Sequence, residues 1–167
     1  MFGVMIPGAL DASLPYASAA DGDVKSTVEI NDSTTNGPEL TNGDKFGYSV
    51  ANIGDLDGDG VNDLAVGANL DDDEGTDRGA VHIIFMNTDG SVDSTVEINS
   101  STTNGPTLTN GDQFGISVAN IGDLDGDGVN DLAVGAPLDN EGGVERGAVH
   151  IIFMNTDGSV DSTVEIN

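Results

Sequence analysis

Cysteine and tryptophan are both absent from the 167 residues. Without Cys there is no disulfide framework and no thiolate chemistry. The compartment stays open, because extracellular proteins are also stabilised by calcium. Positive charge is scarce as well: 4 Lys plus Arg stand against 30 Asp plus Glu, a formal net charge of -26. Such a surface repels nucleic acid and anionic membranes, so the expectation is no nucleic-acid partner and no direct membrane insertion. It attracts metal cations, and a salt-rich medium relieves its self-repulsion. Tyr16 and Tyr48 are the only tyrosines, so aromatic platforms for sugars are few. No stretch reaches the ~20 apolar residues of a membrane span. Met1–Ala20 lacks a basic n-region, and Asp11 and Pro15 break its apolar run. It reads as an irregular or truncated first unit rather than as a secretory leader.

What the chain has in abundance is repetition. Residues 28–95 and 96–163 differ at only ten positions, namely 32, 39, 45, 48, 69, 72, 73, 74, 76 and 77. "STVEIN" occurs at 26–31, 94–99 and 162–167. A repeat of this kind has to be settled before fold. Within each unit the hydrophobic period is that of strands. Phe46, Tyr48 and Val50 alternate with small residues. "LAVGA" follows at Leu64–Ala68, "GAVHIIFM" at Gly79–Met86 is apolar on both faces, and Val92, Val96 and Ile98 alternate with polar neighbours. Asp89-Gly90 predicts a hairpin turn between the last two strands.

Four short strands per unit, with no helical stripe, predict an all-β fold of tandem four-stranded antiparallel blades of β-propeller type. Residues 46–99 and 114–167 are the two full blades, and 32–45 and 100–113 are the connections. Residues 1–31 hold an irregular segment and part of an earlier blade. Two blades do not close a ring. The expected partners are therefore neighbouring blades of a longer chain, or further copies of this one in an oligomeric or stacked assembly.

The most specific chemistry is "GDLDGDGVND", at Gly54–Asp63 and again at Gly122–Asp131. Asp55, Asp57, Asp59 and Asp63 occupy positions 1, 3, 5 and 9 of the loop, and Val61 at position 7 offers its carbonyl. Asp123, Asp125, Asp127, Val129 and Asp131 repeat the arrangement. Alternate side chains converge only where the backbone coils tightly, and Gly58 and Gly60 permit that coil. An all-oxygen set on a flexible loop suits Ca2+, whereas magnesium demands a tighter octahedron and keeps its waters. The spacing resembles a helix-loop-helix calcium loop through position 9. It departs at position 12, where Val66 and Val134 replace a bidentate Glu. Bidentate coordination by Asp63 and Asp131, completed by water, is the expectation. A plain acidic turn on a solvated surface is the competing reading, and the spacing within one loop argues against it.

These residues resemble the FG-GAP repeat of integrin-α-type β-propellers. Phe46-Gly47 and Phe114-Gly115 match the opening "FG", and "GDLDGDGVNDLAVGA" matches the calcium loop and the strand after it. Gly135-Ala136-Pro137 matches "GAP", while the first copy departs with Asn69. The resemblance implies a blade whose calcium loop joins its first two strands, stiffens the propeller and takes no part in catalysis.

The reading is thus a calcium-stabilised extracellular or cell-surface structural or adhesive repeat, part of a larger scaffold or filament, and not an enzyme. One alternative is a glycan- or protein-binding module, with the variable connection 69–77 and its counterpart 137–145 as the contact surface. Another is a hydrolase-associated propeller, although the acids cluster as ligands of one ion rather than facing each other across a cleft. His82 and His150 read as core or interface residues, and Arg78 and Arg146 as partners of nearby acids. Asn31-Asp32-Ser33 and Asn99-Ser100-Ser101 match glycosylation acceptors.

Overall fold

The computed structural model describes residues 24–141, 143–144 and 146–167. The expectations for Met1–Ala20, and most of the earlier partial blade, lie outside this range. Residues 24–30, which include most of the first "STVEIN", form no strand. Eight strands follow: β1 Ser49–Gly54, β2 Asp63–Ala68, β3 Ala80–Met86, β4 Val92–Ile98, β5 Ser117–Gly122, β6 Asp131–Ala136, β7 Ala148–Met154 and β8 Val160–Ile166. They make two four-stranded sheets in the orders β1-β2-β3-β4 and β5-β6-β7-β8, antiparallel throughout. The described residues contain no helix. This is an all-β pair of propeller-type blades in an unclosed array.

Each strand follows from its residues. β3 is rich in Val and Ile, is flanked on both sides in its sheet, and is buried along nearly its whole length. β2 is built of small residues because the second blade comes close to it. A Cβ on Gly67 would stand 1.9 Å from the Gly115 carbonyl oxygen. The β3–β4 turn runs from Asn87 to Ser91. Asn87 N–H donates to the Ser91 carbonyl (2.8 Å), and Gly90 takes a positive φ of 86°.

Two details differ from the sequence pattern. The first strand begins at Ser49 and not at Phe46, because Lys45 and Gly47 sit at φ 62° and 84° and turn the chain. Val92 also does not share a face with Val96 and Ile98. The register slips between Phe85 and Met86, which pair with Ser94 and Val92. That bulge sends Val92 to the opposite face, where it packs with Val66 and Ile84.

The main core lies between the blades. Ala65, Val81, Ile83, Phe85 and Ile98 of the first blade meet Phe114, Leu132, Val134, Ile152, Met154 and Val160 of the second. Phe114 is the wedge, fully buried, and burying such a ring contributes roughly 1.5–3 kcal/mol. The Ser49 hydroxyl donates to the Gly115 carbonyl (2.8 Å), and Phe114 N–H donates to the Arg78 carbonyl (2.9 Å). The connection 100–113 passes the outer strand of the blade it leads into, where the Thr163 hydroxyl donates to the Asn104 carbonyl (2.8 Å).

Candidate metal centre

Both acidic loops run from the end of a blade's first strand to the start of its second. Their coil is held by their own carboxylates. Asp55 accepts the Gly58 and Gly60 N–H groups at 2.8 and 3.0 Å, Asp57 accepts Asp59 N–H at 3.1 Å, and Asp59 accepts Val61 N–H at 2.7 Å. Gly58 and Gly60 stand at φ 82° and 91°, where a side chain would be strained. The second loop repeats this pattern. Asp123 accepts Gly126 and Gly128 N–H, Asp125 accepts Asp127 N–H, and Asp127 accepts Val129 N–H.

The last aspartate of each loop has a second task. Asp63 is buried, with one oxygen accepting Leu56 N–H (2.8 Å) and the other accepting Met86 N–H (3.0 Å). Asp131 does the same with Leu124 and Met154 N–H. Each thus ties its loop to the third strand of its blade before any cation is considered. A bidentate mode at Asp63 or Asp131 would use the lone pairs these bonds leave free.

Carboxylate oxygens of Asp55, Asp57 and Asp63 come within 4.8 Å of one another, as do those of Asp123, Asp125 and Asp127. Asp59 and Asp131 stand outside those gatherings. Val61 and Val129 are half-buried, and Val129 packs against the core. Burial pushes the Asp63 carboxyl up, opposed by its two N–H donors and reinforced by the Asp57 and Asp59 charges. Asp125 is also raised, by desolvation and then by Asp127, Asp131 and Asp123. Clustered carboxylates of this kind favour a shared positive ion. Converging oxygen donors on a coiled loop suit a hard divalent cation, and the donor set is compatible with calcium.

One bracing residue escaped the sequence pattern. Asn130, within the second loop, donates to the Ile53 carbonyl of the first blade (2.9 Å). Gly54 makes room for it, since a Cβ there would lie 2.9 Å from the Asn130 amide nitrogen. The second loop therefore also braces the joint between blades. Its counterpart Asn62 carries the same letter, so only the neighbouring blade distinguishes them. Arg78 also differs from expectation. It donates to Asn110 (2.9 Å) and Ser100 (3.1 Å) rather than to an acid, because the connection beyond β4 brings those neutral groups to it.

Comparison with known proteins agrees with this architecture. The FG-GAP repeat family matches at residues 46–84 and 114–152. Integrin alpha-5 of Xenopus laevis is 39% identical over 123 residues, covering 70% of this chain and 11% of that protein. Integrin alpha-PS2 of Drosophila melanogaster is 38% identical over 131 residues, covering 74% of this chain and 9% of its own length. Integrin alpha-6 of Homo sapiens is 43% identical over 100 residues, 59% of this chain and 8% of that protein. The chain thus spans only a small part of these relatives' length.

Proposed function

Because the chain is an FG-GAP repeat protein with integrin-α-like blades, we propose that it is a calcium-stabilised extracellular structural or adhesive repeat and not an enzyme. The observation that carries this reading is the gathering of alternate carboxylates in each loop at the joint of the first two strands. Calcium held there neutralises the mutual repulsion of the aspartates and fixes the loop. Through Asp63 it stiffens the third strand of the first blade, and through the loop that carries Asn130 the contact between blades. The clustered acids act as ligands of one ion, which supports a scaffold over carboxylate catalysis. The natural partners are further blades, of a longer chain or of other copies, with an extracellular protein or glycan as cargo of the assembled surface. No helix among the described residues is long and apolar enough to cross a membrane.

Thermal unfolding of the full chain in calcium and in chelator tests the reading, with Asp55→Ala and Asp123→Ala alongside. Two sites filled at about 100 times Kd contribute roughly 2.7 kcal/mol each, a rise on the order of 10–20 °C. Each single variant should lose about half of that rise. A melting temperature indifferent to calcium in the unaltered chain would sink the proposal.

A further inference from the structure

At the end of each sheet opposite the acidic loops, a second set of side chains converges, and the calcium reading does not use it. In the second blade Asp139 follows β6, His150 sits on β7, and Glu165 is its cross-strand partner on β8. One ligand atom from each lies within 4.8 Å of the others. His150 and Asp139 are almost fully buried, at 0% and 1% exposure. His150 Nε2 and Asp139 Oδ2 are 3.8 Å apart, too far for a hydrogen bond. Neither of these atoms, nor His150 Nδ1, has a hydrogen-bond partner among the described residues.

The first blade leaves the corresponding atoms orphaned: Asp71 Oδ2 and both nitrogens of His82. There His82 pairs with Glu97 across β3 and β4, and Asp71, Asp73 and Glu97 are gathered within 4.8 Å. In both blades the other aspartate oxygen is engaged, accepting Asp73 N–H (3.1 Å) or Glu141 N–H (2.8 Å). One oxygen of Glu97 accepts from Asn99 (2.6 Å), and one of Glu165 from Asn167 (2.5 Å), while the Glu141 carboxyl also shares a hydrogen bond with Glu165.

Electrostatics makes the same demand. Burial pushes Asp71 up to about 6 and raises Glu97, while Glu141 is raised first by the charge of Glu165. Burial lowers both histidines, so each imidazole is neutral and offers a lone pair. Arg78 is occupied by neutral partners and brings no hydrogen bond to the group. A water molecule can accept from one imidazole N–H and donate to two carboxylate oxygens, but it brings no charge to offset the two carboxylates. A divalent cation meets all three.

We infer that the second blade carries a further metal site, formed by Asp139, His150 and Glu165; in the first blade the gathered side chains are Asp71, Asp73 and Glu97, without His82. One imidazole nitrogen with two carboxylate oxygens suits a transition-metal dication such as Zn2+ rather than calcium. The site clamps the turn after the second strand to the edge strand, at the rim away from the calcium loops. It stands independently of the calcium assignment.

The test is zinc binding to the full chain in excess calcium, read by elemental analysis after gel filtration and by titration calorimetry. One zinc ion per chain is expected, and none in His150→Gln, while His82→Gln keeps the full count. Glu165→Gln, on the half-buried edge strand, should weaken the second site at least about tenfold. It serves if the histidine variants fail to fold. The imidazole proton resonances of His150 should shift on zinc addition, and those of His82 should not. No zinc retained over calcium, a stoichiometry unchanged in His150→Gln, or an affinity unchanged in Glu165→Gln, overturns the inference. So does an experimental map with water alone between His150 and Asp139.

Discussion

At the scale of single residues, aspartate has three separate uses in this chain. It closes loops on their own N–H groups, it pins a loop to a distant strand, and it gathers to receive a cation. Asp89 shows the first use in isolation. In the β3–β4 turn it accepts the Ser91 hydroxyl at 2.7 Å and the Ser91 N–H at 2.9 Å. The Ser91 hydroxyl, and after it the N–H, holds its carboxyl below the ordinary 3.8, and Ser159 does the same for Asp157. A folded-state pKa below the unfolded value means that the turn's contribution is complete above 3.8 and is lost as pH falls through the lower folded value. Ser91→Ala should therefore raise the Asp89 pKa part of the way back, leaving the N–H bond in place. The acid end of the unfolding curve should move to slightly higher pH. Carbon-detected carboxyl titration measures the first effect directly, and an Asp89 pKa that does not move in Ser91→Ala would contradict the argument.

At the scale of elements, the two blades share nearly every letter yet differ in what touches them, and this separates local from tertiary causes. Gly67 and Gly135 are equivalent. A Cβ on Gly67 would meet the Gly115 carbonyl oxygen at 1.9 Å, whereas on Gly135 the nearest atom is the Ser117 hydroxyl at 2.5 Å. Backbone cannot retreat as a hydroxyl can. Gly67→Ala should cost about 1–3 kcal/mol or more, as overpacking does, and Gly135→Ala less than about 1 kcal/mol. Denaturant unfolding in calcium compares them, and equal losses would mean that the second blade is covered as the first is. The same contrast explains what was legible in the sequence. Period-two alternation, the Asp-Gly turn and the 1-3-5-9 acid spacing are local, and they located the strands and the loops. The bulge that turns Val92 to the other face depends on its pairing with Met86, so alternation alone put it with Val96. The Asp139, His150 and Glu165 grouping spans three elements, and only the register of β7 on β8 brings the histidine and glutamate together.

At the scale of the whole molecule, the two blades present, among the described residues, two unequal surfaces that match each other. Val81 and Ile98 of the first blade are 0% and 1% exposed beneath the second blade, while their counterparts Val149 and Ile166 are 41% and 58% exposed. At the other end Tyr48 and Val50 are 59% and 58% exposed, although the corresponding Ile116 and Val118 are half-buried against the first blade. A further blade, from the same polypeptide or from a second copy, would bury both surfaces by repeating the contact already made once within the chain. Such head-to-tail contacts are heterologous and propagate into a ring or a filament. The opposing force is the charge of -26 carried by every chain. Its range is about 10 Å at 0.1 M salt and about 3 Å at 1 M, so salt removes the repulsion while leaving apolar burial intact. Sedimentation of the chain in calcium should accordingly show particles that grow as salt rises from about 0.1 to 1 M. Val149→Asp combined with Ile166→Asp should stay at single-chain size across that range, with the same calcium-dependent melting. A wild-type particle that keeps one mass at all salt and protein concentrations would show that the repeated contact stops at two blades.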